Sequence, residues 1–201
     1  SKNGIRTALK GNGIVAPRSL WSKEGLLWLE KLEMATPMET IRKDDLLQRI
    51  IMNDEMIKRT EKELKKISDR HPGVTILMSI PGIGIRTAEA VMAYIDDPNR
   101  FRSVRKVGTY FGLIPSLDES AGKKRYGHIS KEGPASVRRL LAEAAWMAVR
   151  HNPVAREKFN RICNGNPKRK RIAIIAVAHY LVRLMLSLLK NNQIWDLKKA
   201  S

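Results

Sequence analysis

The stretch PSLDESAGKKRYGHISKEG, residues 115–133, sets a serine, Ser120, between the acidic pair Asp118–Glu119 and the basic run Lys123–Lys124–Arg125. A serine hydroxyl is a weak nucleophile until a base or metal activates it and charge on the attacked group is neutralised. The cations suit a phosphate: Lys123, Lys124, Arg125, Lys131, Arg138 and Arg139 would clamp non-bridging oxygens and the charge developing on them. Asp118 and Glu119 would help a metal or accept a proton, although loop carboxylates are more often simply solvated. His128 reads either as a general acid for the leaving oxygen or as a hydrogen-bonded structural histidine, the commoner fate. Glycines at 122, 127 and 133 make the stretch loop or hairpin rather than helix.

A second phosphate-suited device is SIPGIGIRTAEAV, residues 79–91, which reads as the hairpin of a helix-hairpin-helix. Gly82 and Gly84 are expected to turn the backbone with positive φ and to admit a phosphate without Cβ obstruction. Ile80 and Ile83 would plug the turn between its helices. The free N–H groups of a helix starting near Ile85 would point at the loop, with Arg86 and Thr87 adding side-chain donors. Such a grip holds sugar-phosphate without reading bases. The alternative is a tight helix–helix turn with no ligand. A third cationic element, NPKRKR, offers Lys168, Arg169, Lys170 and Arg171, which suit either a polyanion or plain solvation of a helix start.

Charge favours the polyanion. The 201 residues carry 38 Lys+Arg against 20 Asp+Glu, a net +18 with 43% apolar residues. That excess repels itself in a folded chain and implies a polyanionic partner. It is uneven: residues 1–70 hold 15 basic and 11 acidic groups, net +4, and residues 71–201 hold 23 and 9, net +14. No amphipathic anchor or lipidation signal favours a membrane surface, so nucleic acid leads. The single cysteine, Cys163, excludes an internal disulfide or a cysteine-based zinc cluster and is read as incidental; a reducing cytoplasm is the default. The opening Ser1-Lys2-Asn3, without methionine, reads as a processed or trimmed start.

Elements that would position these groups are mostly helical. Ser22 is an N-cap for a short helix bearing Leu26, Leu27, Trp28, Leu29 and Leu32. Beyond Pro37 a long helix is predicted over Met38–Ser68. Ile50, Ile57 and Leu64 recur every seven residues, with Leu46 and Ile67 at the companion spacing, but Asn53 and Thr60 leave the seam polar. It would pack antiparallel on its own chain or form a dimerising arm. His71-Pro72-Gly73 ends it. The reading is therefore a coiled-coil-like region, 1–70, and a compact helical domain, 71–201, containing the helix-hairpin-helix. Within the latter, short helices are expected around the IPGIG turn and over Val104–Phe111. A firm helix follows Pro134 with Leu140, Leu141, Ala144, Ala145 and Ala148 on one face, and another starts at Pro153. The apolar run Ile172–Leu189 carries His179 and Arg183 and reads as a largely buried helix rather than a membrane span. Trp146 and Tyr180 are expected in the core; Tyr110 and Tyr126, beside the basic loop, are candidate base-stacking rings.

Taken together, IPGIG, the F–GTYFGLIP segment, the serine of ESAG and G-HISKEG followed by VRRLL resemble the C-terminal domain of the IS-one-ten class of insertion-sequence transposases. The resemblance covers residues 76–150 and extends loosely to either side. It implies a DNA transposase acting in site-specific recombination, with an N-terminal RuvC-like domain bearing four metal-binding carboxylates (Mg2+ expected there), a coiled-coil linker and this serine-bearing domain. The serine would attack a DNA phosphodiester and become joined to the strand, with DNA, and in members a structured guide RNA, as partners. By position the nucleophile is Ser120, with ESAG where the family pattern is closer to ESG; Ser116 and Ser130 are the fallback positions. A homo-oligomer in a bacterial or archaeal cytoplasm, associated with the nucleoid, is expected.

No strand-borne Asp with a partnering Glu and D-x-x-D is evident; Asp44–Asp45, Asp54–Glu55 and Asp96–Asp97 fall on a helix or in a turn. The expectation is a fragment that binds nucleic acid and cleaves nothing alone, with no cofactor of its own. The alternative is a noncatalytic helix-hairpin-helix module that tethers nucleic acid.

Overall fold

The computed structural model describes the backbone of residues 1–120 and 123–197, and the side chains of these outside 117–126. The fold is mostly α and forms two compact units, residues 1–66 and 67–201.

In the first unit, α1 (Lys2–Gly11), α2 (Lys23–Lys31) and α3 (Pro37–Ser68) bury Ile5, Leu9, Leu20, Leu29, Met34 and Leu47. Ser22 caps α2 as its sequence predicts, its Oγ accepting from Gly25 N at 3.2 Å. The other end of α2 is closed by a lysine. Lys43 is 1% exposed, and its Nζ donates to the carbonyls of Leu29 and Leu32 at 2.7 Å each and meets Asp44 Oδ1 at 2.7 Å. Orphan carbonyls at a helix C-terminus are thereby satisfied by a cation at the negative end of the helix dipole. Leu46 and Ile50 pack on this core, whereas Ile51, Met52, Met56, Ile57 and Leu64 farther along α3 stay exposed.

The second unit begins in the last turn of α3, just before His71. Its Nδ1 accepts from Gly73 N at 3.2 Å, capping α4 (Pro72–Met78), and Pro72 opens that helix with a fixed φ. After α4 come α5 (Ile85–Ile95), α6 (Lys106–Tyr110), the antiparallel strands β1 (Pro115–Ser120) and β2 (Lys123–Ile129), then α7 (Ala135–His151), α8 (Pro153–Cys163) and α9 (Lys170–Asn191).

α9 is the spine of this unit. Ala173, Ile174, Val177, Ala178, Leu181, Val182, Met185 and Leu186 repeat at helical spacing and are buried against α4, α6, α7 and α8. Among the described residues the helix Pro167–Asn191 is the one long and apolar enough to cross a membrane, and its buried stripe is what the apolar run serves here. α7 contributes Val137, Leu141, Ala144, Ala145 and Ala148; Val137 takes the place expected for Leu140, which is half-buried. Asn152 joins α7 to α8, its Oδ1 accepting from Val154 N and Ala155 N at the α8 N-terminus.

Candidate nucleic-acid interface

The opening stretch folds as a two-stranded ribbon. Backbone register sets Ser120 opposite Lys123, Glu119 opposite Lys124 and Asp118 opposite Arg125, with a bulge between Pro115 and Leu117. Ser120 ends β1 at the turn end of the ribbon. The side chains of Asp118, Glu119, Ser120, Lys123, Lys124, Arg125 and Tyr126 lie outside the described residues.

The stem of the ribbon is closely packed. Ser130 N donates to Ile114 O at 2.8 Å, and Lys131, at φ +57°, donates its N–H to Gly112 O at 3.3 Å. Gly112 (φ +64°) and Gly133 (φ +72°) bring two segments together: a Cβ on Gly112 would lie 2.1 Å from Glu132 O, and one on Gly133 2.2 Å from Tyr110 O. Arg138, at the start of α7, donates from Nη1 to Glu132 O at 2.6 Å and Gly133 O at 2.8 Å. This qualifies one expectation. The Arg138 guanidinium is partly engaged on its own chain: Nη1 serves two carbonyls of the stem, which leaves Nη2 and Nε for a phosphate. Arg139, by contrast, is exposed, with Glu143 3.9 Å away, and Lys131 is exposed at the stem.

The fallback serines also sit at the stem. Ser116 Oγ donates to His128 O at 2.9 Å, and Ser130 Oγ is buried without a partner among the described residues. His128 is exposed near the end of β2. Five positions separate it from Lys123, roughly 16 Å at a strand's rise of about 3.3 Å. It therefore stands at the opposite end of the ribbon from Ser120, and a general-acid role on the same phosphate does not fit.

The IPGIG turn departs from its sequence reading in detail. Gly82 has φ +96°, and a Cβ there would lie 2.4 Å from Ala148 N, so its bareness seats the turn on α7. Gly84 caps α5 at φ −90°, ψ 164°, an extended conformation rather than the positive φ expected, since an N-cap requires it; a Cβ there would meet nothing within 4 Å. Ile80 and Ile83 are buried between the helices. Thr87 is also buried, 7% exposed, because it sits on the core face of α5, so it is not an outward donor. Arg86 Nη1 pairs with Glu89 Oε2 at 2.9 Å; Glu89 is itself buried and accepts from Ser68 Oγ. The open part of this element is therefore Gly84 and the start of α5.

In the third element, Lys168 and Arg169 form a single 3-10 turn, Pro167–Arg169, while Lys170 and Arg171 open α9. All four are exposed, and no acid stands in the first turn of α9. Cations at the positive end of a helix dipole are locally unfavourable, an arrangement an anion relieves.

The aromatic expectations are partly reversed. Tyr110 donates its hydroxyl to Tyr94 O at 3.2 Å and packs edge-on against Phe101 and Phe111, with the Arg100 guanidinium 4.8 Å from its ring centroid. It is held by its neighbours rather than offered to a base. Trp146, expected in the core, is 45% exposed because it lies off the α7 stripe, tilted against Phe159 at 5.8 Å. Tyr180 is half-buried as part of α9, and Cys163 is buried.

Among the described residues no three His, Cys, Asp or Glu side chains converge as metal ligands. Sequence reasoning passed over Lys158, Arg161 and Arg183 on α8 and α9, whose i, i+3 spacing within Lys158–Arg161 and Tyr180–Arg183 was the available signal.

The model of the IS116/IS110/IS902 transposase family matches residues 74–160. That region belongs to this transposase family. The match begins in α4, takes in the IPGIG turn, the serine ribbon and the Arg138 clamp, and ends in α8 before the basic loop. A probable family 20 transposase from Pseudomonas aeruginosa is 27% identical over 183 residues, covering 88% of this chain and 53% of the relative. The transposase for insertion sequence element IS1111A from Coxiella burnetii is 29% identical over 152 residues, 74% of this chain and 42% of its own. A pilin gene-inverting protein of Moraxella lacunata is 26% identical over 123 residues, 61% and 38%. The chain thus spans about half, or less, of the length of these relatives.

Proposed function

We propose that this chain is the DNA-contacting, serine-bearing part of an insertion-sequence transposase and that Ser120 is its nucleophile. Oγ forms a bond to the phosphorus of a DNA phosphodiester as the bond from phosphorus to the departing strand oxygen breaks. The hydroxyl proton passes to a base, and the leaving oxygen takes up a proton. The observation that supports this best is the register of the ribbon, whose backbone pairs Ser120 with Lys123 at the turn end and Asp118 with Arg125. Cations at these neighbouring positions would offset charge on the non-bridging oxygens. Gly84 with the start of α5, Arg139 and the Lys168–Arg171 run supply sequence-independent phosphate contacts.

Completion of the site belongs to a RuvC-like domain carrying Mg2+ outside this chain, with a structured guide RNA as a further partner and a cytoplasmic, nucleoid-associated location. The exposed apolar residues of α3 support a homo-oligomer joined through that helix.

Ser120→Ala in the full-length transposase tests the assignment. Strand exchange and the covalent protein–DNA adduct should vanish while affinity for DNA stays within about twofold of wild type. Persisting exchange removes Ser120 from the chemistry.

A further inference from the structure

Where α8 packs on α9, Lys158 lies within electrostatic reach of both Arg161 and Arg183. Lys158 Nζ lies 5.2 Å from the centroid of the Tyr180 ring, which ties this residue of α8 to α9. Arg161 stands one turn after Lys158 on α8, and Arg183 one turn after Tyr180 on α9, so both lie on the faces those two residues share. Lys158 and Arg183 are half-buried, and among the described residues Arg183 Nε is enclosed without a hydrogen-bond partner. Among the described residues none of the three forms an ion pair with a carboxylate. Burial first, then Arg161 and Arg183, push the Lys158 ammonium below its ordinary pKa, with Glu157 opposing weakly. His179, under the cluster against Gly108, is likewise held below its usual value by burial, then by Arg183 and Lys158, and so adds no charge at neutral pH.

Converging like charges and an enclosed unmet donor both destabilise a fold taken alone. An anion seated among them would remove both penalties. We propose that Lys158, Arg161 and Arg183 form a phosphate-binding site on the α8–α9 face, separate from the serine ribbon, whose ligand is a phosphodiester of a polynucleotide backbone. The proposal rests on the nucleic-acid reading above and adds a contact surface to it. Tyr180 serves as the platform that keeps Lys158 at the site, an arrangement that also lowers the cost of holding an ammonium out of water.

The test compares the full 201-residue chain with the pair Lys158→Gln/Arg161→Gln and with a charge-matched pair on α3, Lys62→Gln/Lys65→Gln. Each is titrated with a fluorescent random-sequence DNA duplex across salt, and each is melted in sodium phosphate and in sodium chloride of equal ionic strength. The α8 pair should bind roughly tenfold more weakly and flatten the log Kd against log salt slope by about two, one per lost contact. The α3 pair should do neither. Phosphate should raise the melting temperature of the wild type and not of the α8 pair. A slope for the α8 pair equal to wild type, or to the α3 pair, overturns the site while leaving the nucleic-acid reading intact. If the wild type itself fails to bind duplex, the reading falls and the polynucleotide ligand falls with it. A phosphate-specific melting shift confined to the wild type would then mark a small-anion site instead.

Discussion

Gly133 and Tyr110 approach so closely that a Cβ on the glycine would stand 2.2 Å from the tyrosine carbonyl oxygen, and the glycine backbone sits at φ +72°. Gly133→Ala therefore faces both a collision with backbone and a conformation that L side chains disfavour. A loss of about 2–4 kcal/mol is expected by urea unfolding, with strain and clash adding. A loss under 0.5 kcal/mol would show that the stem relaxes freely.

Removing the guanidinium of Arg138 leaves the carbonyls of Glu132 and Gly133 without their donor. Arg138→Gln should raise amide exchange across residues 128–133 and cost about 1–2 kcal/mol. Since Arg138 is partly engaged on its own chain, duplex affinity should fall less than for Arg139→Gln. The reverse ranking in a binding titration would make Arg138 the stronger phosphate contact.

Lys43 is the buried cap of α2 in the first unit. Lys43→Met keeps the stem of the side chain but strands two carbonyls, so a destabilisation of about 2–3 kcal/mol is expected in the unfolding of residues 1–66. Lys43→Arg should recover little, because a planar fork does not fit the ammonium's place between the Leu29 and Leu32 carbonyls.

His179 gives a pH dependence with a fixed sign. Its folded-state pKa is depressed below the ordinary 6.5 by burial, Arg183 and Lys158. The unfolded chain takes up the proton first, so this stabilisation is whole above pH 6.5 and is lost as pH falls from there toward the folded value. Melting temperature should drop across that window, and His179→Gln should flatten the drop. An unchanged profile in the variant would assign the pH dependence to another group.

Ile57 and Leu64 on α3 are 55% and 37% exposed. If the homo-oligomer forms through that helix, Ile57→Glu with Leu64→Glu should shift sedimentation from oligomer to monomer without lowering helix content. A wild-type chain that sediments as a monomer at micromolar concentration would set this aside.

Much of the second unit was legible because its signals are local. The Pro134 start of α7, the Asn152-Pro153 start of α8, the His71-Pro72-Gly73 stop and the glycines of the ribbon act within a few residues of themselves. What escaped depends on packing. Nothing near Thr87 says that its side of α5 faces the core, nor near Arg138 that two carbonyls 5 and 6 residues earlier will fold back onto it. Gly82 and Gly84 look equivalent in sequence; α7 distinguishes them, since it presses on the first and leaves the second open. Trp146 was assigned to the core on its apolarity, and the α7 stripe leaves it at the edge. The Lys158 cluster joins two helices, so neither helix alone displays it.

One helix carries both ends of the proposed contact surface. α7 receives the IPGIG turn at Ala148, through Gly82, and fastens the serine ribbon through Arg138. Ten residues of α-helix separate those points, about 15 Å. α7 thus fixes the spacing between the IPGIG turn and the foot of the ribbon, and adding or deleting a turn within it should shift one against the other.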